Sequence, residues 1–145
     1  MTIDHVRDLV QVTLINDPED PRVYTSVEAL GSKRTAVVVS AAFAFAVLEK
    51  WPNGAGLETI RNYVRAARDK VSSENKPKQL VSEALIRSIL SEEELAKELP
   101  NDEILRGQIW LTYELAHDLY KDDSARNRFV DEAVKIANQW LEGTS

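Results

Sequence analysis

The sequence predicts an all-α protein, a single-domain bundle of six or seven helices. The first observation behind this prediction is an apolar run over residues 36–48, in which only Ser40 is polar. The second is the helical spacing of apolar residues along most of the chain. The third is a pair of long amphipathic segments near the C-terminus. A chain of 145 residues can bury one core without disulfides, so residues 1–145 are treated as one domain.

The N-terminal segment has the most ambiguous pattern. Apolar residues fit helical spacing over residues 3–15, where we predict a helix. Part of the same stretch alternates as a strand would, so an extended form stays open for residues 1–31. Two prolines then break the chain, and a short helix is predicted over residues 25–30, ended by Gly31.

Residues 32–50 are predicted to form a buried central helix. Its apolar side chains cover every side, and such a helix belongs inside a protein or a membrane. The thirteen residues of the apolar run span roughly 20 Å, which is short of the roughly 30 Å hydrocarbon core of a bilayer. We therefore predict a core helix and no membrane span, with Ser32 as its N-cap.

One side of this central helix is lined by small residues. Ala36, Ser40 and Ala44 recur every fourth position, so they share a stripe that a neighbouring helix could approach closely. We expect that neighbour to be a long C-terminal helix. The Ser40 hydroxyl is expected to donate back to the carbonyl of Ala36.

The remaining helices follow from amphipathic spacing and from caps. The predicted helix over residues 91–99 opens with a capping box at residues 91–94. The helix over residues 102–120 is expected to be capped by Asn101 or Asp102, and the helix over residues 123–141 by Asp123 or Ser124. A short loop joins these two, so we predict an antiparallel αα-hairpin over residues 102–141. The predicted ranges are 57–71, 78–90, 91–99, 102–120 and 123–141.

Composition limits the function. The chain has no cysteine, which excludes disulfides and thiolate catalysis and fits a reducing, cytoplasmic location. Its net charge is −6, which disfavours general binding to nucleic acid or anionic membranes. Glu114 and His117 form a single Glu-x-x-His pair, half of what a carboxylate di-iron site needs, and the second pair is missing. We predict no metal, no cofactor, no catalytic residues and a protein that is not an enzyme.

Two surface features remain as candidate sites. The first is an arginine stripe on the predicted helix 57–71, formed by Arg61, Arg65 and Arg68. Its simplest interpretation is structural, with side chains that cover the edge of the core and pair with carboxylates. The functional interpretations are docking of an acidic protein, a sensor or enzyme that binds a small acidic or phosphorylated ligand in the turn and helix over residues 51–68, and contact with a nucleic-acid backbone.

The second candidate is a polar strip on the predicted helix 102–120, opposite its aliphatic side. A tryptophan there suggests either that the N-terminal segment covers the strip or that the strip binds another molecule, since Trp, Tyr and Arg anchor many interfaces. We therefore predict a helical protein–protein interaction module, an adaptor, an inhibitor or an assembly component. It would associate with itself or with another protein. The strip consists of Arg106, Trp110, Tyr113, Glu114 and His117.

Overall fold

The computed structural model describes residues 4–72, 74, 76–91 and 98–143, and within these ranges the chain is helical with no strand. The all-α prediction is confirmed. Seven α-helices and one π-helical segment follow each other within the described residues. They are α1 (His5–Asp8), the π-helix (Leu9–Asn16), α2 (Val23–Leu30), α3 (Ser32–Lys50), α4 (Leu57–Asp69), α5 (Gln79–Leu90), α6 (Asn101–Leu119) and α7 (Asp123–Gly143).

Helix α3 is the centre of the fold, as its apolar composition predicts. Its middle part, residues 38–47, is nearly all buried, and Phe43 and Val47 have no exposed surface, while Leu48 near its C-terminal end is 50% exposed. Both α6 and α7 pack mainly on α3 and touch each other little. The two C-terminal helices follow each other across a short loop, as predicted, and α3 provides the main contact surface for each of them. Because α3 is apolar all round, α6 and α7 can each bury more apolar surface against α3 than against each other.

The small-residue side of α3 meets α6, as expected. The Ser40 hydroxyl does not bond back to Ala36; it donates to the side-chain oxygen of Gln108 on α6, at 3.2 Å. The expected local bond is therefore wrong, because a tertiary acceptor lies within reach. Ala36 is exposed and Ala44 is buried, so only the later part of the stripe is enclosed.

The N-terminal segment is helical where it is described, but only its first turn is α-helix. From Leu9 to Asn16 the chain winds as a π-helix, and the amide of Asp17 bonds to the carbonyl of Val12, five residues back, at 2.9 Å. The predicted α-helix over residues 3–15 is corrected in this respect, and Ile3 lies outside the described residues. The segment packs chiefly on α6, with Leu14 fully buried.

Several predicted caps are wrong. Ser32 is the first residue of α3 and follows Gly31, whose φ of 84° suits glycine. Helix α6 starts at Asn101 after Pro100, with no side-chain cap. Helix α7 is capped from Asp122, whose carboxylate accepts from the amide of Ala125 at 2.8 Å. The predicted capping box and short helix over residues 91–99 lie largely outside the described residues.

Within the part of the chain that is described, no single helix is long and apolar enough to cross a membrane. Helices α2 and α3 together reach the required length and hydropathy, but they are bent by 117° at the break between them. Most of α3 is buried in the bundle.

Candidate partner-binding surface

The five residues of the predicted strip all lie on α6, and the structure divides them into three environments. His117 and Tyr113 form the first. Their rings lie 4.2 Å apart, and the Nε2 atom of His117 is 2.6 Å from the carbonyl oxygen of Ile15 at the end of the π-helix. Because a carbonyl only accepts, Nε2 carries the proton and donates. This end of the strip is covered by the N-terminal segment, which was one of the two interpretations.

Glu114 forms the second environment, facing α4. The ammonium of Lys70 lies 3.8 Å from Glu114 and 3.6 Å from Asp118, one turn further along α6. Burial raises the pKa of the Glu114 carboxyl, an effect that the Lys70 cation opposes and the Asp118 carboxylate reinforces. Glu114 therefore belongs to an intramolecular charge cluster between α4 and α6.

Tyr63 of α4 adds a phenol to this cluster. Burial raises its pKa, and the carboxylates of Asp118 and Glu114 raise it further. Its hydroxyl is enclosed near Asp118 without a hydrogen bond of ordinary geometry. One lysine faces two carboxylates here, and the phenol stays protonated, so the cluster ties two helices together and contains no activated nucleophile.

Arg106 and Trp110 form the third environment, and the π-helix does not cover them. They line an open groove of about 640 Å³ between the first half of α6 and the chain around α2. Tyr24 of α2 stands at this groove with 72% of its surface exposed, and Trp110 is half-buried. We call this the aromatic groove; its lining is Pro18, Glu19, Tyr24, Asp102, Leu105, Arg106, Ile109 and Trp110.

Two polar side chains of the aromatic groove, Arg106 and Trp110, have no partner within the described part of the chain that would occupy them, so they can meet a ligand. Among the described residues, Arg106 has no ion pair and no hydrogen bond, and the indole N–H of Trp110 has no acceptor. Two aromatic rings, an unpaired guanidinium and the half-buried side chains of Leu105 and Ile109 thus share one surface. This composition is typical of the anchor residues of protein interfaces.

Tyr24 was missed by the sequence reasoning, although a signal exists. Helix α2 buries Ser26 and Leu30 and half-buries Val23 and Val27, which follow helical spacing. Tyr24 lies off that side, so the pattern leaves a large aromatic residue exposed. Its position at the same groove as Trp110 could not be predicted, because it depends on how the chain around α2 is placed relative to α6.

The arginine stripe is not brought together as a site. Arg61 pairs with the buried Glu83 of α5 at 3.4 Å, and the Nε of Arg68 donates to the carbonyl of Pro77 at 2.8 Å. Arg65 is exposed and has no partner among the described residues. At the 51–56 turn, Trp51 packs edge-on against Tyr63, at 5.2 Å between ring centroids. These contacts support the structural interpretation, and ligand binding at the stripe stays a prediction.

The polar cleft beneath His117 is separate from the aromatic groove. It has a volume of about 590 Å³ and is lined by polar side chains of the π-helix and α7, including Gln11 and Arg126. The guanidinium of Arg126 donates to the carbonyl of Tyr120 at 3.0 Å, so this cation is engaged within the fold. No group of three or more His, Asp or Glu residues placed to hold a metal ion occurs in the described ranges.

Comparisons of the chain with models of protein families, with curated protein sequences and with solved structures found no match. The functional argument therefore depends on the geometry of the chain itself.

Proposed function

We propose that this protein is a non-enzymatic helical interaction module that binds a protein partner through the aromatic groove. The observation that carries the proposal is the convergence on one open surface of Tyr24, Trp110 and Arg106, whose guanidinium has no ion pair within the described part of the chain. Large aromatic residues and arginine dominate the binding energy of many interfaces, because they bury much area and keep a polar group for orientation.

The second half of α6, which is covered by other parts of the chain, differs from the first half in a way that supports this proposal. His117 and Glu114 already have intramolecular partners, in the π-helix and in α4. Arg106 and Trp110 lie on the same helix and have no such partner in the described ranges, so their polar groups can meet another molecule. A second copy of the chain and a different protein both remain within the proposal, as do the roles of adaptor, inhibitor and assembly component.

We also propose a cytoplasmic location and the absence of catalysis. The cysteine-free, acidic composition suits a reducing compartment. Glu114 and Tyr63, two titratable groups whose pKa is raised, take part in contacts between helices and do not line the aromatic groove.

The proposal is tested with Trp110→Ala and Tyr24→Ala, with Trp140→Ala as the matched control. Trp140 lies on α7 and is 42% exposed, so its removal takes a comparable aromatic surface from a different region. Sedimentation velocity of the purified protein measures self-association. Affinity capture from the native host with quantitative mass spectrometry measures partner binding. Circular dichroism confirms that each variant is folded.

We expect one complex, homomeric or heteromeric, that depends on the aromatic groove. Loss of an anchor residue costs 2 kcal/mol or more, so each groove variant should lower the affinity roughly thirtyfold, while Trp140→Ala leaves it unchanged. A monomer that captures no partner, or a complex that is equally stable in Trp110→Ala and in the parent, would contradict the proposal.

A further inference from the structure

A second cleft lies next to the aromatic groove, on the other side of Arg106. It has a volume of about 290 Å³ and is formed where the α4–α5 connection meets the first turns of α5 and α6. We call it the basic cleft; its lining is Arg68, Glu74, Lys76, Pro77, Lys78, Val81, Glu103 and Arg106. Arg106 lines both clefts, so the two form one continuous surface.

The basic cleft carries four cations and two carboxylates, in a chain whose net charge is −6. One carboxylate, Glu103, is matched by Lys78 at 3.0 Å. The cleft is therefore locally positive on an otherwise acidic protein. A region of that sign attracts negatively charged groups and raises the rate at which they associate.

Two of these cations are held in place by the backbone. The ammonium of Lys76 donates to the carbonyls of Arg68 at 3.2 Å and Val71 at 3.1 Å, and the Nε of Arg68 donates to the carbonyl of Pro77. These bonds fix the positions of both charges. They leave one ammonium proton on Lys76 and the outer nitrogens of the Arg68 guanidinium for further acceptors.

The start of α5 adds to the positive field. Lys78 occupies the N-cap position and its side chain makes no cap hydrogen bond, so no described side chain accepts from the first amides of α5. Unpaired amides at a helix N-terminus favour negative charge. The helix end reinforces the four cations, which are the feature that defines the cleft.

We infer that the partner segment that fills the aromatic groove carries aspartate or glutamate side chains that reach across Arg106 into the basic cleft. This inference rests on the proposed function and specifies the chemistry of the partner, an acidic segment of a protein with an apolar or aromatic anchor. The two clefts meet at Arg106, so a short peptide can occupy both at once.

The test uses purified full-length protein and a blocked tetra-glutamate peptide as probe. Heteronuclear NMR follows the amides of residues 76–81 and 103–110 during the titration. The double variant Lys76→Glu with Lys78→Glu reverses two charges of the cleft and leaves Arg106, which also lines the aromatic groove, unchanged. The matched control, Arg34→Glu with Lys135→Glu, makes the same change in net charge at two exposed positions outside the cleft and outside the arginine stripe.

We expect the peptide to shift amides around the basic cleft and the cleft variant to bind it roughly tenfold more weakly than the control variant does. Binding should also weaken when ionic strength rises from about 0.01 M to about 0.15 M, because the screening length falls from about 30 Å to about 8 Å. Shifts elsewhere, equal losses in both double variants, or inorganic phosphate binding as tightly as the peptide would overturn the inference.

Partner capture separates this inference from the proposed function. If Trp110→Ala abolishes capture while the cleft variant captures as well as the control variant, the proposed function stands and the acidic segment is refuted. If Trp110→Ala captures as much partner as the parent does while tetra-glutamate still binds at the basic cleft, the proposed function fails. Recognition of acidic groups by the basic cleft is then supported. If Trp110→Ala and the cleft variant both lose partner capture, the proposed function and the acidic segment are both supported.

Discussion

Replacing Gly107 by alanine tests the contact that sets the spacing of α5 and α6. A Cβ atom at this position would lie 2.5 Å from the Cδ1 atom of Leu85 and 3.7 Å from the Cγ1 atom of Val81. Leu85 is only 1% exposed, so its side chain must move within a packed core or α5 must shift away. Val81 and Arg106 both line the basic cleft, so such a shift would also widen it.

Two opposite effects determine the size of the change. Overpacking a core typically costs about 2 kcal/mol, and alanine in a helix interior is favoured over glycine by up to about 1 kcal/mol. We therefore expect Gly107→Ala to lower the free energy of unfolding by about 1 kcal/mol. Leu85→Ala alone should lower it by about 2–5 kcal/mol, because it leaves a cavity.

The assay is urea denaturation followed by circular dichroism. Gly143→Ala is the control, since Gly143 is also helical but a Cβ there would have no neighbour within 4 Å; its effect should stay within about 0.5 kcal/mol. In the double variant, the new methyl group partly fills the space that Leu85 vacates. The free energy of unfolding of the double variant should therefore fall by less than the sum of the losses in Gly107→Ala and Leu85→Ala, by at least about 0.5 kcal/mol. Additive losses, or a Gly107→Ala variant as stable as the parent, would refute the close contact.

Three further predictions concern the interior. Ala44→Trp should lower the free energy of unfolding by at least about 1–3 kcal/mol, because Ala44 is 7% exposed; a neutral denaturant melt would mean that this side of α3 faces a partner. Arg61→Ala should cost about 1–3 kcal/mol by leaving the buried Glu83 without its cation, and adding Glu83→Gln should restore part of the loss; an unchanged melt argues against the pair. The pKa of Glu114 is higher in the folded protein than its ordinary value of 4.5, so protonation of this carboxyl stabilises the fold at low pH. This stabilisation is lost as the pH rises above 4.5 and through the pKa of the folded state. Glu114→Gln should therefore stabilise the protein more at pH 7 than at pH 4 in paired melts, and equal effects at the two pH values would contradict the raised pKa.

Helix α3 could be predicted to the residue because several signals agree there. An apolar run of helix-forming residues is bounded by Gly31 and by Trp51-Pro52, and no competing pattern offers another boundary. The N-terminal segment is the opposite case. Its apolar residues fit both helix and strand, and the π-helix depends on hydrogen bonds five residues apart, which propensity does not encode.

The candidate site could be predicted only in part, because its residues come from separate elements. The sequence identifies Arg106 and Trp110 as surface anchors on one helix, since helical spacing fixes which side chains share a side. It does not show that the π-helix covers His117, nor that Tyr24 lies beside Trp110. Those facts depend on helix crossing. The same limit applies to Ser40, whose acceptor is 68 positions away in the chain.

The first half of α6 packs against the core at Gly107 and Gln108, which lie between Arg106 and Trp110 in the sequence. Gly107 lies against Leu85 of α5, and Gln108 accepts the hydroxyl of Ser40 on α3. Arg106 and Trp110 therefore project from a stretch of helix whose rotation and depth are fixed by the core. A binding surface that is already rigid loses less conformational entropy on association, so a small groove can bind a partner without a large buried area. On this argument, loosening the α5–α6 contact at Gly107 should weaken partner binding even though Gly107 itself faces away from the aromatic groove.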